Sequence, residues 1–367
     1  MEKRYIDLKT AGIVKPKEPL EIKEHDPPKP NGSQILIIVQ SAGVCHSDIH
    51  LPEGGYEGLD EQFLKATDRV IKYPLTPGHE VAGYFESLGD EASTALEGSI
   101  HENKKVLVYP WIGEGLCPTC RIDEENLCDK PRSLGIYAEG GYAEYVLVPS
   151  YTYLIKMGAG DDHDLNADSI ATLSCSPLTG YGAVKKVNIG PNDNVVIVGA
   201  DGLGLMAIQL AKAVTGARII AMDLDDDKVK LAKENRADNI INSKREDAAQ
   251  VVMELTNKLG ADAVIDFVIA SKTVETDMQL LRRRAKLVLV GLFSGELKLK
   301  LVTMLARAYK LIGSYTGSIT DLIELVSLAK REVIKPIISN RFKLYQATEA
   351  LEMLKNGKIL GRGVINP

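Results

Sequence analysis

The sequence predicts a two-domain α/β protein in which a doubly wound parallel sheet is joined to a β-rich unit. Three observations carry this expectation. At 367 residues the chain exceeds what one hydrophobic core usually organises. Up to about residue 150 it has strand-and-turn texture. After about residue 175 it alternates short apolar runs with amphipathic stretches at helical spacing.

The first unit opens with a proline-rich stretch: five of the sixteen prolines fall between Pro16 and Pro30. Residues 34–40 (QILIIVQ) form a β-branched run, and 81–88, 106–109 and 142–148 are further short apolar or alternating runs bounded by Gly and Pro. In the second unit, 195–199 (VVIVG) reads as a buried strand and 203–214 as a helix. A strand at 218–223 (RIIAMD) precedes a charged helix at 226–235. Strands at 239–241, 263–268 (AVIDFV) and 286–291 (KLVLVG) alternate with helices at 247–259 and 274–281, and 310–314 supplies a sixth strand. From residue 315 a helix at 321–330 and a closing strand are expected to return to the first unit, because the parallel unit is already complete.

Composition narrows the function. Forty-four Lys and Arg against fifty Asp and Glu leave a net charge of −6, without the basic footprint of a duplex or phospholipid binder. The most apolar long window, 195–214, is interrupted by Asp201, Gln209 and Lys212, which argues against a membrane span. The charged opening MEKRYIDLKT has no apolar signal core, so a cytoplasmic location is expected. An odd count of five cysteines does not read as a disulfide framework.

Gly199-Ala-Asp-Gly-Leu-Gly204 follows a predicted strand and opens a predicted helix, the arrangement in which backbone amides and a helix N-terminus hold a pyrophosphate. The candidate cofactor residues are Gly199, Gly202, Gly204 and Asp223, whose carboxylate ends the next strand where ribose hydroxyls would lie. Like charge there, reinforced by Asp225, Asp226 and Asp227, favours NAD(H) over NADP(H), while Lys228 could sit beside the ribose. Asp201 stands where the fingerprint has its middle glycine, and is expected to weaken cofactor affinity without abolishing it.

The loop WIGEGLCPTCRIDEENLCDKP places Cys117, Cys120 and Cys128 close together, the spacing with which a loop encloses a structural zinc; Glu114 and Asp123 both qualify as the fourth ligand. Cys45 in GVCHSDIH, His79 in PGHEVAG and Cys175 in TLSCSPLTG would give two thiolates and an imidazole, leaving a fourth zinc position open for catalysis.

With these motifs in this order, the sequence resembles the zinc-dependent medium-chain alcohol dehydrogenases over essentially its whole length, and most of all their archaeal members. The resemblance implies a GroES-like catalytic domain built from residues 1–176 and 314–367 around a Rossmann domain at 177–313. It implies two zinc ions per chain, one on Cys45, His79 and Cys175, with Glu80 close behind, and one on Cys117, Cys120, Cys128 and Glu114, which it selects over Asp123. Asp48 would hydrogen-bond the outer nitrogen of His79, Ser47 would meet the substrate hydroxyl, and His50 would carry its proton outward. His46 and Arg362 would lie against the pyrophosphate, and Thr179 belongs to the shared Cys175-x3-Thr179 step. The implied activity is NAD(P)-dependent hydride transfer between an alcohol or aldehyde and the nicotinamide, on a small-molecule substrate, by a homo-oligomer with tetramer favoured over dimer.

Three other readings share parts of this pattern. A semialdehyde reductase of central carbon metabolism using NADPH would need a cation facing the pocket, for which Lys65, Arg69 and Lys72 in the long stretch 51–73 are available. A polyol dehydrogenase generally has glutamate where Cys175 stands. A catalytically inactive dinucleotide-binding regulatory protein would have no use for Cys45, Ser47, His50 and His79 together.

Overall fold

The computed structural model describes residues 8–57, 63–65, 71–96, 104–157, 165–292 and 295–367. Two sheets organise them. The first is six-stranded and wholly parallel, in the spatial order Asn239–Asn242, Arg218–Asp223, Asn194–Val198, Ala261–Asp266, Leu281–Leu289, Lys310–Gly313. In order of appearance this is 3-2-1-4-5-6, and the order reverses between Asn194–Val198 and Ala261–Asp266, leaving a crevice at their carboxyl ends. Val195, Val196 and Ile197 are completely buried, which explains a strand apolar on both faces. Truncating Ile197 to Ala would cost about 2–5 kcal/mol.

The second sheet has seven strands. Ile338–Lys343 pairs in parallel with Arg362–Asn366, which pairs antiparallel with Ile35–Val44. Glu80–Leu88, Lys105–Val108 and Leu154–Lys156 continue the sheet, and Tyr145–Val148 also pairs with Ile35–Val44. The C-terminal strands thus share a sheet with strands from the first hundred residues. A separate pair, Leu8–Gly12 with Glu21–His25, lies in the proline-rich opening, and Gly55–Glu57 pairs with Phe63–Lys65.

The expected elements recur with shifted ends. The helix expected at 203–214 is Gly202–Thr215, and the 142–148 run forms a strand only over Tyr145–Val148. The strand expected at 286–291 begins at Leu281, and one expected closing strand is two strands with the helix Ala347–Lys355 between them.

The helix Ser176–Val187 links the two parts of the site, since its N-cap is Cys175 and the hydroxyl of Ser176 donates to the carbonyl of Gly202 at 2.8 Å. Gly199 (φ +87°) turns the chain, and a side chain on Gly204 would overlap the Gly199 carbonyl; the loop closes only because both lack one.

Candidate active site and thiol lobe

Cys45, His79 and Cys175 arrive from three elements and meet in the interior. Cys45 directly follows the strand Ile35–Val44 and caps the helix His46–Glu53; His79 directly precedes Glu80–Leu88. His79 is fully buried and the two cysteines nearly so. The Cys45 and Cys175 sulfurs lie 3.7 Å apart, and His79 Nε2 lies 3.3 Å from Cys175 Sγ.

Behind this trio, Asp48 is completely buried and fully used. Its Oδ1 faces His79 Nδ1 at 3.1 Å, and its Oδ2 accepts from the Cys45 amide and the Tyr142 hydroxyl, each at 3.0 Å. One carboxylate therefore closes the first turn of the helix and turns Nε2 of His79 toward the thiols. Trp111 shelters the other side: its ring centroid lies 5.2 Å from that of His79, and its indole NH donates to the Ser174 carbonyl at 2.8 Å.

The electrostatics favour a cation. Burial alone would lower the His79 imidazole, but Asp48 and Cys45 outweigh it and raise it to about 10. The hydrogen bond from Cys175, opposed by burial and aided by His79, holds the Cys45 thiol well below its usual range; the same bond and burial hold Cys175 well above its own. The shared hydrogen bond thus drives the two thiols in opposite directions. Tetrahedral zinc with ordinary bond lengths would separate two sulfurs by about 3.8 Å and sulfur from nitrogen by about 3.5 Å. The observed 3.7 and 3.3 Å match this spacing, so the donors fit the metal in chemistry and in separation.

Glu80 is fully buried, and one of its carboxylate oxygens lies in the same cluster as the ligand atoms of Cys45, His79 and Cys175, all within 4.8 Å of one another. Its carboxylate pairs with Arg362, which is almost as deeply buried. A side chain on Gly202 would come within 2.7 Å of Arg362 Cδ, so the same arginine borders the start of the nucleotide helix. The structure thus joins two residues that sequence reading assigned to separate tasks.

Around the glycine loop, Asp223 Oδ2 accepts from the Ala200 amide at 2.7 Å, and its Oδ1 accepts from the amides of Leu224 and Asp225. Lys228 Nζ sits 2.7 Å from Asp201 Oδ1, so the carboxylate in the glycine position carries its own counter-charge. Asp201 is the N-cap residue of Gly202–Thr215, yet its side chain makes no capping hydrogen bond. Burial lowers the His46 imidazole; Cys45 and Asp201 pull it up and Arg362 and Lys228 push it down, which locates His46 between the thiol site and the loop. Thr179 lies one turn into the helix that Cys175 caps, its amide donating to the Cys175 carbonyl at 2.8 Å. Ser47 Oγ is 3.9 Å from Cys45 Sγ, and His50 Nδ1 is 3.7 Å from a Glu53 carboxylate oxygen. Of the cations in the 51–73 stretch, Lys72 is exposed, the side chain of Lys65 is not described, and Arg69 lies outside the described residues.

The second thiol set is a compact lobe. Cys117 Sγ lies 3.4 Å from Cys120 Sγ and 3.8 Å from Cys128 Sγ, and the amides of Glu114, Cys120 and Lys130 each donate to a cysteine sulfur at 3.4 Å. Hydrogen bonds from Cys120 lower the Cys117 thiol, whereas burial lifts Cys120 to about 11. The Glu114 carboxylate is turned to Lys130 Nζ at 3.3 Å and stands outside the sulfur cluster. Asp123 is committed elsewhere, accepting from the Ser318 hydroxyl at 2.9 Å and so docking the lobe onto the helix Ile319–Lys330.

Sequence reading missed Trp111 and Tyr142. The single tryptophan of the chain was the one available signal, and nothing local marks Tyr142.

Residues 31–159 match the model of the alcohol dehydrogenase GroES-like domain, and residues 202–331 that of the zinc-binding dehydrogenases. An NAD-dependent alcohol dehydrogenase of Sulfurisphaera tokodaii is 41% identical over 98% of this chain and 100% of its own length. One from Saccharolobus solfataricus is 40% identical over the same shares. Among solved structures, the alcohol dehydrogenase of the hyperthermophilic archaeon Aeropyrum pernix superposes with a TM-score of 0.86 at 32% identity, covering 98% of this chain and 100% of that one.

Proposed function

The chain belongs to the zinc-type medium-chain alcohol dehydrogenases, and we propose that it interconverts an alcohol and its carbonyl compound with NAD(H). The observation that carries this reading is the buried Cys45–His79–Cys175 donor set, spaced for zinc and oriented by Asp48. Zinc held there would supply Lewis acidity that acidifies an alcohol, and the nicotinamide would supply the redox chemistry.

The chain's own residues do the remaining work. Ser47, beside the thiols, relays the hydroxyl proton of the substrate by accepting it as its own hydroxyl proton leaves, and His50, facing Glu53, is the base that receives a proton at the outer end of the relay. Asp48 fixes the tautomer of His79 so that Nε2 stays free for metal. Glu80 and Arg362 place a buried ion pair between the donor set and the nucleotide helix, where Arg362 and His46 face the pyrophosphate. Gly199, Gly202 and Gly204 open the backbone to the phosphates, and Thr179 steadies the turn that carries Cys175.

NAD(H) is preferred over NADP(H) because the carboxylates of Asp223, Asp225, Asp226 and Asp227 would repel a 2′-phosphate, and the nearby Lys228 is engaged by Asp201. A second zinc would be held by Cys117, Cys120 and Cys128, with Glu114, which here faces Lys130, as its fourth ligand. Residues 1–176 with 314–367 form the catalytic domain and 177–313 the nucleotide domain, a division that sheet membership supports. The protein works in the cytoplasm as a homo-oligomer, a tetramer rather than a dimer; no helix among the described residues is long and apolar enough to cross a membrane.

Metal analysis and turnover test this together. The wild type should hold close to two zinc per chain and turn over alcohols with NAD, while Cys45→Ala should hold close to one and lose at least about a thousandfold in kcat. Full activity in Cys45→Ala would end the proposal. Rates over a panel of alcohols, aldehydes and semialdehydes with NADH and NADPH would define the substrate.

A further inference from the structure

Opposite the glycine loop, at the amino ends of the parallel strands, lies a second concavity. The start of Leu281–Leu289, the ends of the helices Ser176–Val187 and Leu301–Arg307, and the turn before Ala261–Asp266 border a half-open hollow of about 850 Å³. Its wall carries seven lysines and arginines against two aspartates, in a chain whose net charge is −6.

Three of the seven have a structural explanation. Arg282 pairs with Asp262 and reaches Asp193 at 3.9 Å. Lys286 donates to the helix-terminal carbonyls of Val187 and Asn188. Arg307 occupies the last turn of its helix, where the carbonyl end favours a cation. Lys258, Arg283, Arg284 and Lys310 remain: all four are exposed, and their side chains have no carboxylate or carbonyl partner among the described residues.

The backbone gives an independent sign. Arg284 (φ +67°) adopts the left-handed conformation inside a strand, whereas Asn188, Ala308 and Lys258 in the same wall do so as they close helix C-termini. Non-glycine residues held there cluster where ligands bind. Four unpaired like charges around one hollow repel one another, and a bound anion would relieve this.

We propose that this cavity binds a small, multiply charged anion of the oligophosphate class, held by Lys258, Arg283, Arg284 and Lys310. Arg283 and Arg284 both line the wall and a guanidinium matches phosphate oxygens in fork geometry, while four cations balance three to four negative charges. The volume suits a metabolite. Because the cavity opens at the other end of the sheet from Gly199–Gly204, its ligand does not compete with the dinucleotide. Inorganic oligophosphate and the phosphate chain of a nucleotide share the chemistry proposed.

Calorimetric titration of tripolyphosphate into the full chain saturated with NADH, at about 0.15 M salt, tests this. Saturable binding at one site per chain is expected, weakened about tenfold or more by Arg283→Ser combined with Arg284→Asn. Asparagine tolerates the left-handed backbone at 284, and turnover without oligophosphate should equal wild type. Removing two positive charges elsewhere, Lys15→Ser with Lys23→Ser, should leave binding unchanged. ATP binding in the same site as tightly as tripolyphosphate would assign recognition to the phosphate chain, and tighter binding would add a base contact. No saturable binding, equal loss in the Lys15/Lys23 variant, AMP binding as tightly as tripolyphosphate, or sulfate at matched ionic strength reproducing the effect would overturn the proposal.

Discussion

Lys228→Ala should weaken NADH binding through Asp201 and not through the loss of a contact to the cofactor. Lys228 Nζ lies 2.7 Å from Asp201 Oδ1, with the two side chains 21% and 47% exposed. The pair itself contributes little to stability, because an ion pair this open is worth about 0–1 kcal/mol. The consequence for binding is larger. Without Lys228, a bare carboxylate at the N-cap of Gly202–Thr215 faces the pyrophosphate. At a separation of about 6 Å and an effective dielectric near 60, each facing charge costs about 0.9 kcal/mol. One to two such terms raise the Kd for NADH about five- to twentyfold. Against the weakening expected from sequence, Asp201→Gly should be nearly silent by itself, since Lys228 already offsets the carboxylate and the side chain caps nothing. In Lys228→Ala/Asp201→Gly, affinity should return to within about twofold of wild type, giving a coupling energy of about 1–2 kcal/mol. Fluorescence titration of NADH against the four proteins measures the cycle. If the double variant binds as weakly as Lys228→Ala, the lysine touches the cofactor directly and the reasoning is wrong.

Three further outcomes follow from single residues. Asp277 is fully buried, and burial together with the neighbouring Asp266 charge holds its carboxyl well above the usual range, so folding favours the protonated form. Stability drawn from that proton is complete below the unfolded value near 3.8 and falls as pH rises toward the folded one, by about 1.4 kcal/mol per pH unit. Asp277→Asn should therefore raise Tm increasingly from pH 4 upward in thermal melts; a pH-independent difference would contradict this. Tyr142→Phe removes one of the donors to Asp48 and should loosen metal at the Cys45–His79–Cys175 set about 10–100-fold in chelator competition, with the thiol lobe unaffected. An unchanged rate of metal loss would show that the phenol only fills space. Gly43→Ala would drive a methyl into the Glu80 carboxylate and should cost about 1–3 kcal/mol in denaturant unfolding; a loss below about 0.5 kcal/mol would refute the close fit.

The nucleotide unit was largely legible because its strands are buried on both faces. VVIVG announces Asn194–Val198 to within a residue, since nothing polar interrupts it. Leu281–Leu289 was harder: Arg282, Arg283 and Arg284 follow its first residue, and such a run of charge does not read as a strand. The loop was legible, its electrostatic balance was not, because Lys228 meets Asp201 only after a helix, a strand and a turn have folded between them. Metal donors stand out in sequence because cysteine and histidine are scarce here. Their supports do not: the Glu80–Arg362 pair is brought together by antiparallel register, Gly43 opposite Glu80 and Gly363 opposite Val44, while Tyr142 and Trp111 reach the site from loops by hydrogen bonds to Asp48 and Ser174. Register between distant strands leaves no local trace.

The placement of Arg362–Asn366 sets an order of assembly on the ribosome. Cys117, Cys120 and Cys128 are sequence neighbours, and their lobe can close as soon as that short stretch has emerged. The strand that delivers Arg362 to Glu80 inserts between Ile338–Lys343 and Ile35–Val44, and Arg362 is synthesised some 280 residues after Glu80. Until then Glu80 lacks the cation that it pairs with in the finished fold. The thiols that must be driest in the finished protein are therefore the ones left longest open to oxidants during synthesis.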